Sequence, residues 1–183
     1  MPTKPTILKR RQVAKTRIFC VEELSLEFSN GEKRIYERLL AGGNGAVMIV
    51  PVTDKNEFVL IREYSAGTDD YQLAFPKGLM EAGETPSDAA NREIKEEIGL
   101  GARKLTNLKK TTLAPGYLTH QMHTLLAEDL YPEKHQGDEP EPLEVVYWPT
   151  DQIDELLNQQ DFTEARSIAA LLISSRMLAS RNQ

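Results

Sequence analysis

The sequence contains a single cysteine, Cys20, so no disulfide bond can form within the chain. It has no apolar run that approaches the roughly 18 residues of a membrane-spanning helix. Four basic residues lie near its start (Lys4, Lys9, Arg10 and Arg11), but no apolar segment follows them, so a secretory signal is not predicted. Basic residues are also fewer than acidic ones, since 22 Lys and Arg and 28 Asp and Glu give a net charge of −6. Because a protein that binds long nucleic acid needs a basic surface for the phosphates, we expect a cytoplasmic protein that binds neither a membrane nor long nucleic acid.

Hydrophobic residues are 40% of the 183, enough for one domain with a small N-terminal addition. Two partly alternating segments, Val21–Phe28 and Lys33–Leu39, are separated by an Asn-Gly turn, which predicts a β-hairpin. A glycine-rich break follows at residues 41–45. We therefore expect an N-terminal extension, residues 1–45, that carries the hairpin, and a main domain, residues 46–183.

Apolar runs and turn residues predict the elements of the main domain. The expected strands are 46–52, 58–62, 72–75, 104–113, 121–127 and 143–148, and the expected helices are 85–98, 151–157 and 162–178. The first two strands are predicted to pair with each other. In the last helix, Ile168, Leu171, Leu172, Ser175 and Leu178 form the predicted packing stripe. Helices separated by groups of strands favour an α/β/α sandwich around a mixed sheet.

The helix predicted at residues 85–98 has clear start and stop signals. Thr85 can cap its first turn, and Pro86 suits the first helical position. At its other end, Gly99 follows Ile98 and can end the helix.

Three acids share one edge of this helix. At about 100° per residue, Glu93, Glu96 and Glu97 occupy an arc of roughly 100°. Ile94 and Ile98 lie beside that arc and are expected to face the core. A solvated acidic face is one explanation of the cluster. The other is a site for Mg²⁺ or Mn²⁺, which accept carboxylate oxygens and phosphate oxygens together.

The segment GLMEAGETPSDAANREIKEEIGL resembles the Nudix box. In that pattern, a glycine, a glutamate, an Arg-Glu pair, an aliphatic residue, a Glu-Glu pair, a glycine and an aliphatic residue stand at fixed spacing. The matching residues are Gly78, Glu84, Arg92, Glu93, Ile94, Glu96, Glu97, Gly99 and Leu100. The resemblance implies a Nudix α/β/α sandwich and metal-dependent hydrolysis of a nucleoside diphosphate derivative.

The wider sequence resembles the ADP-ribose pyrophosphatase branch of this superfamily. Stretches such as LEFSNG, VMIVP, LIREY and GDEPEPL are similar to the bacterial group of NudE-type ADP compounds hydrolases. Pro115 lies 15 residues beyond Leu100, and Tyr117 lies 17 beyond it, spacings that resemble ADP-ribose and diadenosine-polyphosphate hydrolases respectively. The resemblance therefore implies ADP-ribose, NADH and diadenosine polyphosphates as substrates, with AMP as one product.

The resemblance also implies roles for the residues of the motif. Glu93 and Glu97 would bind Mg²⁺ or Mn²⁺ directly, and Glu96 would do so directly or through water. Arg92 would orient these carboxylates, so Arg92 and Glu96 are also catalytic candidates. Gly78 would bring its backbone carbonyl to the metal.

A second group of acids lies in the proline-rich segment that follows residue 131. Here the resemblance implies Glu139 as the catalytic base and Glu141 as an accessory metal ligand. Glu84 would be an outer metal-site residue. A merely solvated acidic loop is the alternative for this segment, and a helix glutamate is an alternative base.

The substrate-binding candidates are Tyr36, Arg38, Arg62, Tyr64 and Pro115. A tyrosine ring can stack on adenine, and arginine can bind phosphate, although each of the tyrosines and arginines also suits packing within its strand. Relatives with this architecture are commonly dimers, so the N-terminal hairpin is expected to support a homodimer. The alternative functions are a GDP-sugar pyrophosphatase, a non-catalytic sensor of ADP-ribose or NAD, and removal of a 5′ pyrophosphate from RNA.

Overall fold

The computed structural model describes residues 2–181. Its elements in chain order are β1 (Thr6–Lys15), β2 (Cys20–Glu27), β3 (Lys33–Leu40), β4 (Ala46–Pro51), β5 (Glu57–Ser65), β6 (Asp70–Ala74), β7 (Lys77–Leu79), α1 (Pro86–Glu97), β8 (Leu100–Thr112), β9 (Gln121–Pro132), β10 (Glu144–Pro149), α2 (Ile153–Leu157) and α3 (Ala165–Arg181). No helix within residues 2–181 has the length and apolar character needed to cross a lipid bilayer.

The N-terminal part of the chain is a three-stranded antiparallel sheet in the order β1-β2-β3. The predicted hairpin is confirmed, since Cys20 lies opposite Leu40 and Glu27 opposite Lys33. Strand β1 was not predicted. Its segment, TILKRRQVAK, is exposed along its whole length and lacks the apolar alternation by which a half-buried strand is recognised.

The main domain contains a four-stranded sheet, in the order β7-β4-β9-β8, and a three-stranded sheet, in the order β10-β5-β6. Strands β4 and β9 are parallel, whereas β4 and β7 are antiparallel, so the first sheet is mixed. The predicted pairing of segments 46–52 and 58–62 is wrong apart from one isolated bridge, because β4 and β5 lie in different sheets. Both edges of β4 are occupied by β7 and β9, and the chain passes to the second sheet after the bridge between Val52 and Phe58.

Two layers of apolar side chains enclose these sheets. On one side, Val47 and Ile49 pack with Ile94 of α1. On the other side, Met48 packs in a cluster with Leu171 of α3. Because alternate residues of β4 face opposite layers, the strand is buried on both faces. The predicted α/β/α sandwich with a mixed sheet and an N-terminal hairpin is therefore confirmed.

The C-terminal helices differ in detail from their prediction. Helix α2 begins at Ile153 and α3 at Ala165, each later in the chain than expected. In the predicted packing stripe Leu171 is buried, but Leu172 is 47% exposed. The buried face of α3 is instead formed by Ser167, Ala170, Leu171 and Ser174, so the stripe is shifted from the predicted one.

Candidate active site

Helix α1 is fixed at its N-terminus by a reciprocal pair of hydrogen bonds. The Thr85 hydroxyl accepts from the backbone N–H of Asp88 at 3.2 Å, and the Asp88 carboxylate accepts from the backbone N–H of Thr85 at 3.3 Å. Pro86 occupies the first helical turn, as predicted. After the helix, Gly99 has φ +71°, which glycine adopts without strain. Local sequence signals therefore set where the acidic edge of α1 begins and ends.

Arg92 is the centre of the polar network on this edge. Its guanidinium donates to both oxygens of Glu84 at 2.8 and 3.0 Å. It also donates to Glu93 at 2.8 Å, to Glu96 at 3.0 Å and to the backbone carbonyl of Leu79 at 2.9 Å. These acceptors raise the pKa of Arg92, with the Glu84 hydrogen bond as the largest cause. Arg92 thus holds three carboxylates of the predicted site in one cluster.

Two acids of this edge are buried. Glu93 is 9% exposed and Glu97 is 7% exposed. Burial raises the pKa of Glu93, against the opposing effect of Arg92. Burial also raises the pKa of Glu97 to about 9, although the charge of Lys77 opposes this and its backbone N–H donates to Glu97 at 3.1 Å. Buried carboxylates of this kind need a positive partner if they are to be ionised near neutral pH.

Gly78 lies on β7, directly against Glu93. A Cβ atom at position 78 would overlap the Glu93 carboxylate, so a larger residue would displace that side chain. The strand register places Gly78 opposite Val47 of the central strand β4. The absence of a side chain at residue 78 therefore creates the space into which the Glu93 carboxylate extends.

These groups line an open cavity of about 730 Å³. Its charged lining residues are Glu63, Lys77, Glu81, Arg92, Glu93, Glu96, Glu97, Asp138 and Glu139. Acids outnumber bases in this lining, and Arg92 is already bonded to several acceptors. The cavity thus suits a ligand that brings positive charge, or that binds through bound cations.

Across residues 2–181, no group of three or more His, Cys, Asp or Glu side chains is arranged so that it could hold a metal ion. Arg92 accounts for this in part, because it holds Glu93 and Glu96, while Glu97 accepts from the Lys77 backbone. The donor set still fits a hard divalent cation, since it offers two buried carboxylates beside a glycine. Binding would require Glu93 and Glu96 to turn from the guanidinium towards the ion.

The two loop acids of the prediction lie in different environments. Glu139 lines the cavity, and its carboxylate lies over Gly137, where a Cβ atom would overlap it. Glu141 is exposed and is not among the residues that line the cavity. Its carboxylate accepts a hydrogen bond from the Tyr71 hydroxyl at 2.6 Å. The structure therefore brings Glu139, but not Glu141, to the acids of α1.

Three of the predicted substrate-binding residues line a second cavity. Tyr36, Arg38 and Pro115 surround a space of about 390 Å³ between the N-terminal sheet and the segment that precedes β9. Tyr36 is 47% exposed there, and Arg38 forms an ion pair with Glu22 at 2.7 Å. Tyr117 also lines this cavity.

The other two predicted substrate-binding residues are directed elsewhere. Arg62 forms ion pairs with Glu144 at 2.7 Å and Asp161 at 2.9 Å. The Tyr64 hydroxyl donates to Asp69 at 2.7 Å. Because side chains alternate along β5 and Glu63 lines the acidic cavity, Arg62 and Tyr64 project from the opposite face of that strand.

Four charged residues that line the cavity were not among the predicted site residues: Glu63, Lys77, Glu81 and Asp138. The Lys77 ammonium pairs with Glu63 at 2.7 Å, and both side chains line the cavity. Lys77 directly precedes Gly78, the first residue of the motif, so its position in the sequence could have indicated that it lies at the site. Glu63 had no such signal, because it lies on β5, outside the motif, and reaches the cavity only through the tertiary fold.

Comparison with known proteins agrees with this architecture. The family model of the NUDIX domain matches residues 44–171, and that of the NudE-type Nudix hydrolase N-terminal domain matches residues 5–38. The ADP compounds hydrolase NudE of Escherichia coli (strain K12) is 52% identical over 170 residues, covering 93% of this chain and 91% of that protein. The ADP-ribose pyrophosphatase of Bacillus subtilis (strain 168) is 29% identical over 171 residues, covering 90% and 91%.

A solved structure is similar over nearly the whole chain. The crystal structure of an ADP compounds hydrolase superposes with a TM-score of 0.92 and 49% sequence identity, covering 99% of this chain and 97% of that one. The fold of this chain, including its N-terminal sheet, is thus similar to one already seen in a solved structure. The chain is therefore a member of the Nudix hydrolase family and, within it, of the NudE-type group.

Proposed function

We propose that this Nudix hydrolase cleaves the pyrophosphate bond of ADP compounds, releasing AMP and a second phosphorylated product. One observation carries the proposal: Glu93, Glu96 and Glu97 of α1 and Glu139 of the loop between β9 and β10 line a single open cavity. The similarity to an ADP compounds hydrolase and to an ADP-ribose pyrophosphatase supports the substrate class.

The acids of α1 would hold Mg²⁺ or Mn²⁺ together with the backbone carbonyl of Gly78. Such ions neutralise a diphosphate and stabilise the charge that develops during its hydrolysis. Glu93 and Glu97 are the preferred direct ligands, and Glu96 acts directly or through water. Arg92, which donates to Glu84, Glu93 and Glu96, would orient these carboxylates.

The hydrolysis requires an attacking water and a base. Glu139 lies at the cavity wall and is proposed to take a proton from that water as its oxygen bonds to phosphorus. The bond from that phosphorus to the bridging oxygen then breaks, and the second phosphate leaves with the bridging oxygen. Lys77 would pair with a phosphate oxygen in place of Glu63, because its ammonium already lies in the cavity.

The second cavity is proposed to bind another part of the substrate. Tyr36, Arg38 and Pro115 line it, and the Tyr36 ring is exposed enough to stack on a base. Arg62 and Tyr64 are less suitable, because they project from the face of β5 opposite Glu63.

A homodimer built through the N-terminal sheet is part of the proposal. Strand β1 is exposed from end to end, and Leu8 and Ile35 are 51% and 68% exposed. Apolar side chains on an exposed sheet favour contact with a partner. The cytoplasmic location stays a prediction from the sequence.

A substrate panel tests the proposed activity. The purified protein is incubated with Mg²⁺ and, separately, ADP-ribose, NADH, diadenosine triphosphate and GDP-mannose, and the products are separated by chromatography. We expect AMP from the adenine compounds. GMP from GDP-mannose, without AMP from the other three, would contradict the proposal and favour a GDP-sugar pyrophosphatase.

A further inference from the structure

The loop that carries Glu139 is anchored at both of its ends. At its start, the backbone N–H of Glu133 donates to Gly99 at 3.0 Å, and that of His135 donates to Lys95 at 3.0 Å. At its end, β10 begins at Glu144 and pairs with β5. Residues 136–143 lie between these anchors and include the proposed base.

A side chain of the β10-β5-β6 sheet contacts the middle of this loop. The Tyr71 hydroxyl, on β6, donates to Glu141 at 2.6 Å, across 70 residues of sequence. The Tyr71 ring packs edge-on against Tyr64 of β5, with the ring centroids 5.9 Å apart. A rigid ring braced by its neighbour presents its hydroxyl in a defined direction, so β6 gives the loop a third point of attachment.

The sequence between Glu141 and Glu139 is stiff. Both glutamates directly precede a proline, which restricts their backbone to extended conformations. Pro140 and Pro142 have fixed φ angles of their own. A hydrogen bond that holds Glu141 therefore limits where Glu139 can lie. Gly137 has no side chain, which leaves the space that the Glu139 carboxylate occupies.

We propose that Tyr71, through Glu141, is a positioning residue that holds Glu139 at the acidic cavity. In this proposal Glu141 links Tyr71 to the Glu139 segment and is not a metal ligand. The inference rests on the proposed function, because it takes Glu139 as the base of that reaction.

Tyr71→Phe removes the hydroxyl and keeps the ring. With ADP-ribose as substrate, we expect kcat to fall about tenfold, since a small displacement of a catalytic group is costly. KM and the Mg²⁺ concentration for half-maximal rate should stay at the parent values. Hydrogen exchange of the amides in residues 136–143 should become faster. Tyr147→Phe is the matched control, because Tyr147 is a half-exposed tyrosine of the same sheet that lines a different cavity.

Two variants of Glu141 separate the positioning role from a ligand role. Glu141→Gln keeps an oxygen that accepts from Tyr71, so it should retain more kcat than Glu141→Ala. Adding Tyr71→Phe to Glu141→Ala should cause no further loss, because both changes break one contact.

Two results would overturn the inference. One is a Tyr71→Phe enzyme with parent kcat and parent exchange in residues 136–143. The other is a Glu141→Gln enzyme that needs more Mg²⁺ while Tyr71→Phe does not, which would make Glu141 a metal ligand. If the parent protein turned over none of the panel substrates, the proposed function would fail, and the exchange measurement would still report on the Tyr71 contact.

Discussion

At the scale of single residues, the candidate site depends on carboxylates held where water cannot fully solvate them. Burial raises the pKa of Glu97 to about 9, and Lys77, whose charge opposes this rise, also pairs with Glu63. A divalent cation would supply the missing positive charge at this position. A substitution that keeps the shape of this side chain but removes its charge should therefore affect cation binding and leave the packing intact.

Glu97→Gln should keep the fold and lose most turnover. The amide oxygen can still accept from the Lys77 backbone, but the charge offered to a cation is gone. We expect kcat with Mg²⁺ to fall by about 100-fold or more, with an unchanged urea midpoint. Glu155→Gln, an exposed position in α2, is the control that should retain activity. Turnover by Glu97→Gln at the parent rate would refute the metal assignment.

Lys77→Met tests the proposed contact between the Lys77 ammonium and a phosphate of the substrate. The change removes the ammonium and keeps the backbone N–H that donates to Glu97. We expect KM for ADP-ribose to rise about tenfold, as for a lost hydrogen bond to a charged group, with a smaller effect on kcat. Lys104→Met removes an ammonium that pairs with Glu128 outside the cavity. An unchanged KM in Lys77→Met would exclude the phosphate contact.

At the scale of elements, α1 controls the geometry of the acids because its first turn is fixed by the Thr85–Asp88 pair. Thr85→Ala should lower the free energy of unfolding by about 1 kcal/mol. Thr85→Ser keeps the hydroxyl and should stay close to the parent. Urea denaturation followed by circular dichroism measures both, and equal stability of the two variants would show that the cap contributes little.

The same scale shows what sequence could and could not predict. Helix α1 was predictable since its cap, its glycine stop and the arc of Glu93 and Glu97 are all local properties. The pairing of β4 was not, because its apolar residues suit any buried neighbour and say nothing about which strand that is. Strand β1 was missed for another reason: as it is fully exposed, no burial pattern marks it.

The candidate site likewise contains residues that the sequence predicts and contacts that it does not. The motif spacing placed Arg92, Glu93 and Glu96 together, and the structure brings them within hydrogen-bond distance. Glu63 and the Tyr71–Glu141 contact depend on how β5, β6 and a distant loop are brought together. Such contacts between remote segments are set by the tertiary fold and have no short-range signal.

At the scale of the whole molecule, the N-terminal strands form a sheet of their own, and β1 is an exposed strand of that sheet. A homodimer through this sheet predicts a mass twice that of one chain in sedimentation equilibrium. Ile35→Lys places a charge on the exposed sheet and should shift the population towards the single chain. Ile153→Val, in α2, is a conservative control that should leave the mass unchanged. A parent protein with the mass of one chain, active at the same concentration, would contradict the dimer.

The most direct test of the central claim is a crystal of the full chain with Mn²⁺ and a non-hydrolysable ADP-ribose analogue. Anomalous scattering then locates the metal independently of any assumption about its ligands. We predict Mn²⁺ bound to carboxylate oxygens of Glu93 and Glu97, with the diphosphate on its other side and Arg92 released from Glu93. An ion and a diphosphate bound away from these side chains would contradict the account.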